Sequence, residues 1–96
     1  MANTDEYIEK LKQKLGEWEE ELGNLEEKAR GAREDLRREW EQRRDDLRAR
    51  RDEVRNKLEE LRSSAGSTGE ELKRDLDRMR ETISRGIRDL RDQLRR

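Results

Sequence analysis

Apolar residues in this chain fall on one narrow helical stripe whose spacing changes part-way along. From Ile8 to Leu36 they alternate by three and four: Ile8, Leu11, Leu15, Trp18, Leu22, Leu25, Ala29, Ala32, Leu36. That is the spacing of a coiled-coil seam. Beyond Leu36 the spacing drifts to eleven residues, in Leu25, Leu36, Leu47 and Leu58 and again in Leu61, Leu72, Ile83 and Leu94. An eleven-residue repeat averages about 3.67 residues per turn, which keeps a helix nearly straight or slightly right-handed. Without proline there is no hard breaker, and nothing in the pattern demands a stop before Arg62. The segment SSAGSTG, residues 63–69, is the one clear turn signal. The pattern therefore predicts an all-α fold: a long helix over about 4–62 and a shorter antiparallel helix over about 68–94, forming a helical hairpin. Asn3 with Glu6 reads as a capping-box start for the first helix; Ser67 with Glu70, and Thr68 with Glu71, are alternative caps for the second. Gly16, Gly23, Gly31 and Gly86 interrupt the helices, as exposed positions or as places of close helix approach.

Folding the second helix back on the first pairs residues whose numbers add to 130: Leu58 with Leu72, Val54 with Leu76, Leu47 with Ile83, Trp40 with Leu90, Leu36 with Leu94. Arg51 and Arg43 then lie opposite Met79 and Ile87, their methylenes over the apolar partner and their guanidinium groups in water. Residues 36–62 and 68–94 form the hairpin, and residues 4–35 are left as an arm of the same single domain. The arm's seam, Ile8, Leu11, Leu15, Trp18, Leu22, Leu25, Ala29 and Ala32, has no partner within such a hairpin. Exposure would forfeit roughly 1.5–3 kcal/mol per large side chain. A second copy is the simplest cover, and antiparallel pairing about residue 20 sets large residues on small ones at both ends. The arm is acidic, with a net charge of -5 over residues 1–35, and the remainder carries +4. The expectation is a homodimer assembled through the arm.

Composition sharpens this picture. Charged residues make up 53% of the chain and hydrophobic ones 27%, which leaves burial to seams. Net charge is only -1, because acidic and basic residues are interspersed. Acid precedes base by four positions repeatedly: Glu6/Lys10, Glu26/Arg30, Glu34/Arg38, Glu39/Arg43, Asp46/Arg50, Glu53/Lys57, Glu70/Arg74, Glu81/Arg85 and Asp92/Arg96. Each such pair stabilises an exposed helix by about 0.2–0.5 kcal/mol. That favours helix over disorder despite the low apolar content.

The chemical inventory is thin. The sequence holds neither histidine nor cysteine, so it offers no imidazole base, thiol nucleophile or thiolate metal site. Its serines have no base constellation, and its glycines form no phosphate loop. A non-enzymatic protein with no cofactor, metal or small-molecule substrate is expected. Absence of cysteine fits the cytoplasm, and the first residues lack a signal-peptide core. Arginine is abundant between Arg37 and Arg55, yet residues 36–62 mix ten basic with eight acidic side chains. Such a mixed field argues against nucleic acid as partner. A lipid surface remains the alternative partner, since eleven-residue amphipathic repeats also lie on lipid. The narrow, arginine-interrupted stripe without phenylalanine speaks against it.

The stretches DEYIEKLKQKLGEWEEELGNLEEKA and LRARRDEVRNKLEELRSSAGSTGEELKRDL carry a recognisable order. They resemble small bacterial coiled-coil stress-response proteins first described in cyanobacteria. In those proteins a YIEK-(L/M)-K-x-x-L-x-EW start leads through LRA-x-R-(D/E)-E-x-x-x-KLEELR to a small-residue turn and an E-(D/E)-LK helix. The resemblance covers most of residues 5–76 and fades over 77–96. Family members often carry tryptophan before and within the last helix, where this chain reads STGEELK and RMRETIS. The resemblance implies an all-helical cytosolic oligomer connected with stress, and supplies no catalytic or ligand residues.

Overall fold

Three helices, not two, account for the structure, a computed structural model that describes residues 4–64 and 67–95. They are α1 (Thr4–Arg30), α2 (Glu34–Ser63) and α3 (Ser67–Arg95). Each runs about 40–45 Å at 1.5 Å per residue. The molecule measures 49 × 18 × 16 Å, so the helices lie side by side. A continuous helix over 4–62 would span roughly 90 Å. The expected long helix is instead broken at Gly31, Ala32 and Arg33. Gly31 and Ala32 donate backbone bonds to Lys28 and Ala29, each three residues back, at 3.2 and 3.1 Å. Arg33 then turns extended, with ψ 159°, before its carbonyl accepts the first bond of α2 from the Arg37 amide at 2.9 Å. Charges suit both new ends: Lys28 and Arg30 close α1, while Glu34 and Asp35 open α2.

The break lets α1 run antiparallel to α2 and parallel to α3. Ile8, Leu11, Leu15, Trp18, Leu22, Leu25 and Ala29 are all buried within the chain. The premise of an uncovered arm is thereby overturned. The eight seam residues assigned to oligomerisation face α2 and α3, apart from Ala32, which sits half-exposed in the turn. They join Trp40, Leu47, Val54, Leu58, Leu61, Leu72, Leu76, Ile83, Ile87 and Leu90 in one core, with Met79 and Leu94 packed at its margin. Leu36 is half-buried at the turn. Burial is not confined to a pairwise seam, because three stripes share one axis.

Along α2 the buried stripe is Trp40, Leu47, Val54, Leu58 and Leu61. Arginines fill its gaps. The Arg44 and Arg51 side chains are 23% and 15% exposed, whereas Arg43 is 43% exposed. The seam therefore runs 40, 44, 47, 51, 54, and Arg43 lies off it, paired with Glu39 at 3.7 Å. Contacts between α2 and α3 fall on number sums of 132 rather than the expected 130, as in Lys57–Asp75 at 3.8 Å and Glu39–Gln93 at 3.2 Å. Of the intrahelical pairs expected, those at Glu26, Glu34, Glu39, Asp46 and Glu81 form. Glu53 does not pair with Lys57, which reaches across to Asp75. α3 begins at Ser67, placing Thr68 inside the helix rather than at its cap. Asn3, the turn residues 65 and 66, the Ser67 side chain and Arg96 lie outside the described residues.

Three glycines separate cleanly. A Cβ on Gly16 or Gly23 would meet nothing within 4 Å, whereas one on Gly86 would stand 2.8 Å from Leu47 Cδ2. Gly86 marks a close approach of α3 to α2. Gly16→Ala and Gly23→Ala should each raise stability by up to about 1 kcal/mol. Gly86→Ala should gain nothing or lose stability, since Leu47 must shift. Urea denaturation of the three variants reads this, and an equal gain at all three positions would contradict the packing.

Candidate interaction surface

Polar contacts between helices set the register that the apolar stripes alone leave degenerate. Glu19 on α1 pairs with Arg51 on α2, and Glu26 pairs with Arg44 at 3.4 Å. Both pairs have numbers adding to 70, and they stand seven residues apart on each helix. Their carboxylates are 43% and 35% exposed, so each pair is worth at most about 1 kcal/mol. Their weight lies in specificity, because sliding α1 along α2 by one turn would break both interhelical pairs. Arg51 also donates to Asp52 at 3.0 Å.

Tyr7 ties α1 to α3. Its hydroxyl donates towards Asp77 Oδ1 at 2.7 Å and the Lys73 carbonyl at 3.1 Å, and Lys73 Nζ stands 5.7 Å from the ring centroid. Burial pushes the phenol above its ordinary value, reinforced by the hydrogen bond to Asp77 and that residue's charge and opposed by Arg80. Farther along, Trp18 Nε1 donates to Ser84 Oγ at 3.4 Å. Among the described residues no buried side-chain nitrogen or oxygen lacks a partner. Sequence reasoning missed Tyr7, Glu19, Glu26 and Arg44 as positioning residues. The seven-residue spacing of Glu19/Glu26 and Arg44/Arg51 was the available signal, lost in the density of charge.

Outside the core, the surface is a close mixture of carboxylates and guanidinium groups over open grooves. Among the described residues no cluster of acidic side chains has metal-site geometry, and no helix is long and apolar enough to cross a membrane. One depression lies at the end carrying the α1–α2 turn, with Ala32, Leu36 and Leu94 as its apolar floor and Lys28, Arg33 and Arg95 at its rim. Comparison with protein-family models, with curated proteins and with solved structures finds no match.

Because the phenol of Tyr7 is favoured in its neutral form by folding, its contribution is complete below about pH 10 and declines as pH rises above that value. Tyr7→Phe should cost about 1 kcal/mol at neutral pH. Stability measured from neutral pH upward should fall faster in the parent protein than in the variant. Parallel curves would exclude the Tyr7–Asp77 contact as a source of alkaline sensitivity.

Proposed function

We propose that this chain is a non-enzymatic structural or interaction module that works as a folded bundle through its charged outer face. The observation that supports it is the partition of side chains: the apolar stripes of all three helices turn inward, leaving a mixed-sign polar exterior. Such an exterior suits a protein partner of similarly mixed charge better than a polyanion, whose phosphates would meet as many carboxylates as cations. The lack of histidine and cysteine removes the commonest catalytic and metal-binding side chains. A cytoplasmic location and a connection with bacterial stress belong to the same reading; the first has the cysteine-free composition as its support, the second the sequence resemblance. Side-by-side pairing of two arms about residue 20 is not part of it, because Trp18 and Leu22 are 2% exposed and held by the chain's own helices.

Binding to a lipid surface is the second reading, favoured by the amphipathic character of all three helices. Opening the bundle would turn three apolar stripes towards a membrane. Circular dichroism and light scattering in the presence of anionic phospholipid vesicles separate the two. The module reading expects helix content and thermal transition to be unchanged and the protein to stay off the vesicles. Co-sedimentation with vesicles and loss of the cooperative transition would replace it with the lipid reading. Retention on duplex DNA at about 0.15 M salt would instead favour a nucleic-acid scaffold.

A further inference from the structure

The turn between α1 and α2 is held by local backbone bonds. Arg33 makes no side-chain capping bond. Gly31 does not occupy the left-handed region, and a Cβ there would meet only the Lys28 carbonyl oxygen, at 3.9 Å. Glycine, alanine and arginine are all compatible with helical backbone, so residue type at 31–33 does not forbid a continuous helix. The other turn is built differently, with Ser63 and Ser64 hydroxyls donating back to the Glu60 carbonyl at 3.2 and 2.6 Å. The apolar pattern also ignores the first turn. Leu25, Ala29, Ala32 and Leu36 keep their three-four alternation across it, and Leu25, Leu36, Leu47 and Leu58 stay near one face of a straight helix.

We infer that α1 and α2 straighten into one helix and exchange α1 between two copies of this chain, forming an antiparallel dimer with its two-fold axis at residue 35. A straightened monomer would lose every contact of α1. In the exchanged dimer each α1 finds the same α2 and α3 surfaces on its partner, so only the turn differs between the two states. The ion pairs locate the axis. Contacts of α1 with α2 follow a number sum of 70, from Glu19–Arg51 and Glu26–Arg44, and that register maps residue 35 onto itself when the two helices belong to different chains. The partly exposed seam residues agree. Ala32 and Leu36 flank residue 35, and Leu94, on the 132 register of α3 with α2, stands opposite residue 38. These three form the apolar floor of the depression at the turn end, and the axis would bring two such floors together. This association is independent of what the charged outer face binds.

Glu34 offers a discriminating variant. It is the first residue of α2 and follows an extended Arg33, a position where proline fits the bundle. Within a straightened helix proline would be a breaker. The protein is unfolded and refolded at rising concentration, and its mass is read by light scattering. The parent chain is expected to yield a dimer of unchanged helix content, about twice the 49 Å length of the monomer by small-angle scattering. Gly31→Ala should raise the dimer association constant roughly tenfold, and Glu34→Pro should lower it at least about a hundredfold while the monomer melts cooperatively as before. A dimer that persists undiminished in Glu34→Pro would overturn the exchange. So would a parent chain and Gly31→Ala variant that both remain monomeric throughout.

Discussion

A shared axis is the constraint on which the rest depends. Each helix carries only about one large apolar side chain per turn, a stripe that here is shared among three helices. Val54 and Leu76 are wholly buried, and Ile83, Leu61 and Leu90 nearly so, because a third stripe closes over the other two. Removing α1 would open the same groove along its full length. The charged majority of the chain then serves solubility, helix support and register, while cohesion rests with the minority on the stripes.

Register comes from a different source than cohesion. Three-four patterns match themselves at every heptad shift, so leucine against leucine does not choose an alignment. Glu19–Arg51 and Glu26–Arg44 choose it for α1 and α2, and Tyr7 with Asp77 chooses it for α1 and α3. These contacts contribute little free energy in a partly wet setting. They act by favouring one alignment, since a one-turn slip would cost Arg51 and Arg44 their partners on α1 and leave them only their neighbours Asp52 and Asp45.

Helical character, the second turn and the inward-facing residues were legible from periodicity, and the extent of α3 differs from expectation by one residue at each end. The number of helices was not. Gly31 was visible as an interruption, but the stripe continues in phase through Ala29, Ala32 and Leu36, so periodicity gave no reason to stop. The spacing after Leu36 was read as a change of repeat within one helix from Leu25, Leu36, Leu47 and Leu58, and Arg43 was then placed on the seam where the structure has Arg44. A shift of one position at an arginine, whose long side chain reaches a seam from either place, cannot be resolved from residue type alone. Treating 8–32 as unpartnered followed from reading 4–62 as one unbroken helix, which the shorter helix could cover only in part.

The exposed glycines of α1 bear on what holds that helix together. Gly16 and Gly23 sit in mid-helix with no packing to justify them, and each lowers the intrinsic helicity of its segment. α2 holds no glycine at all, and Gly86 in α3 is spent on the approach to Leu47. Of the three elements, α1 thus owes most of its structure to the surface that receives it. Its helix is therefore the one that depends most on docking. Amide hydrogen exchange would register that dependence as weaker protection of residues 4–30 than of α2 and α3.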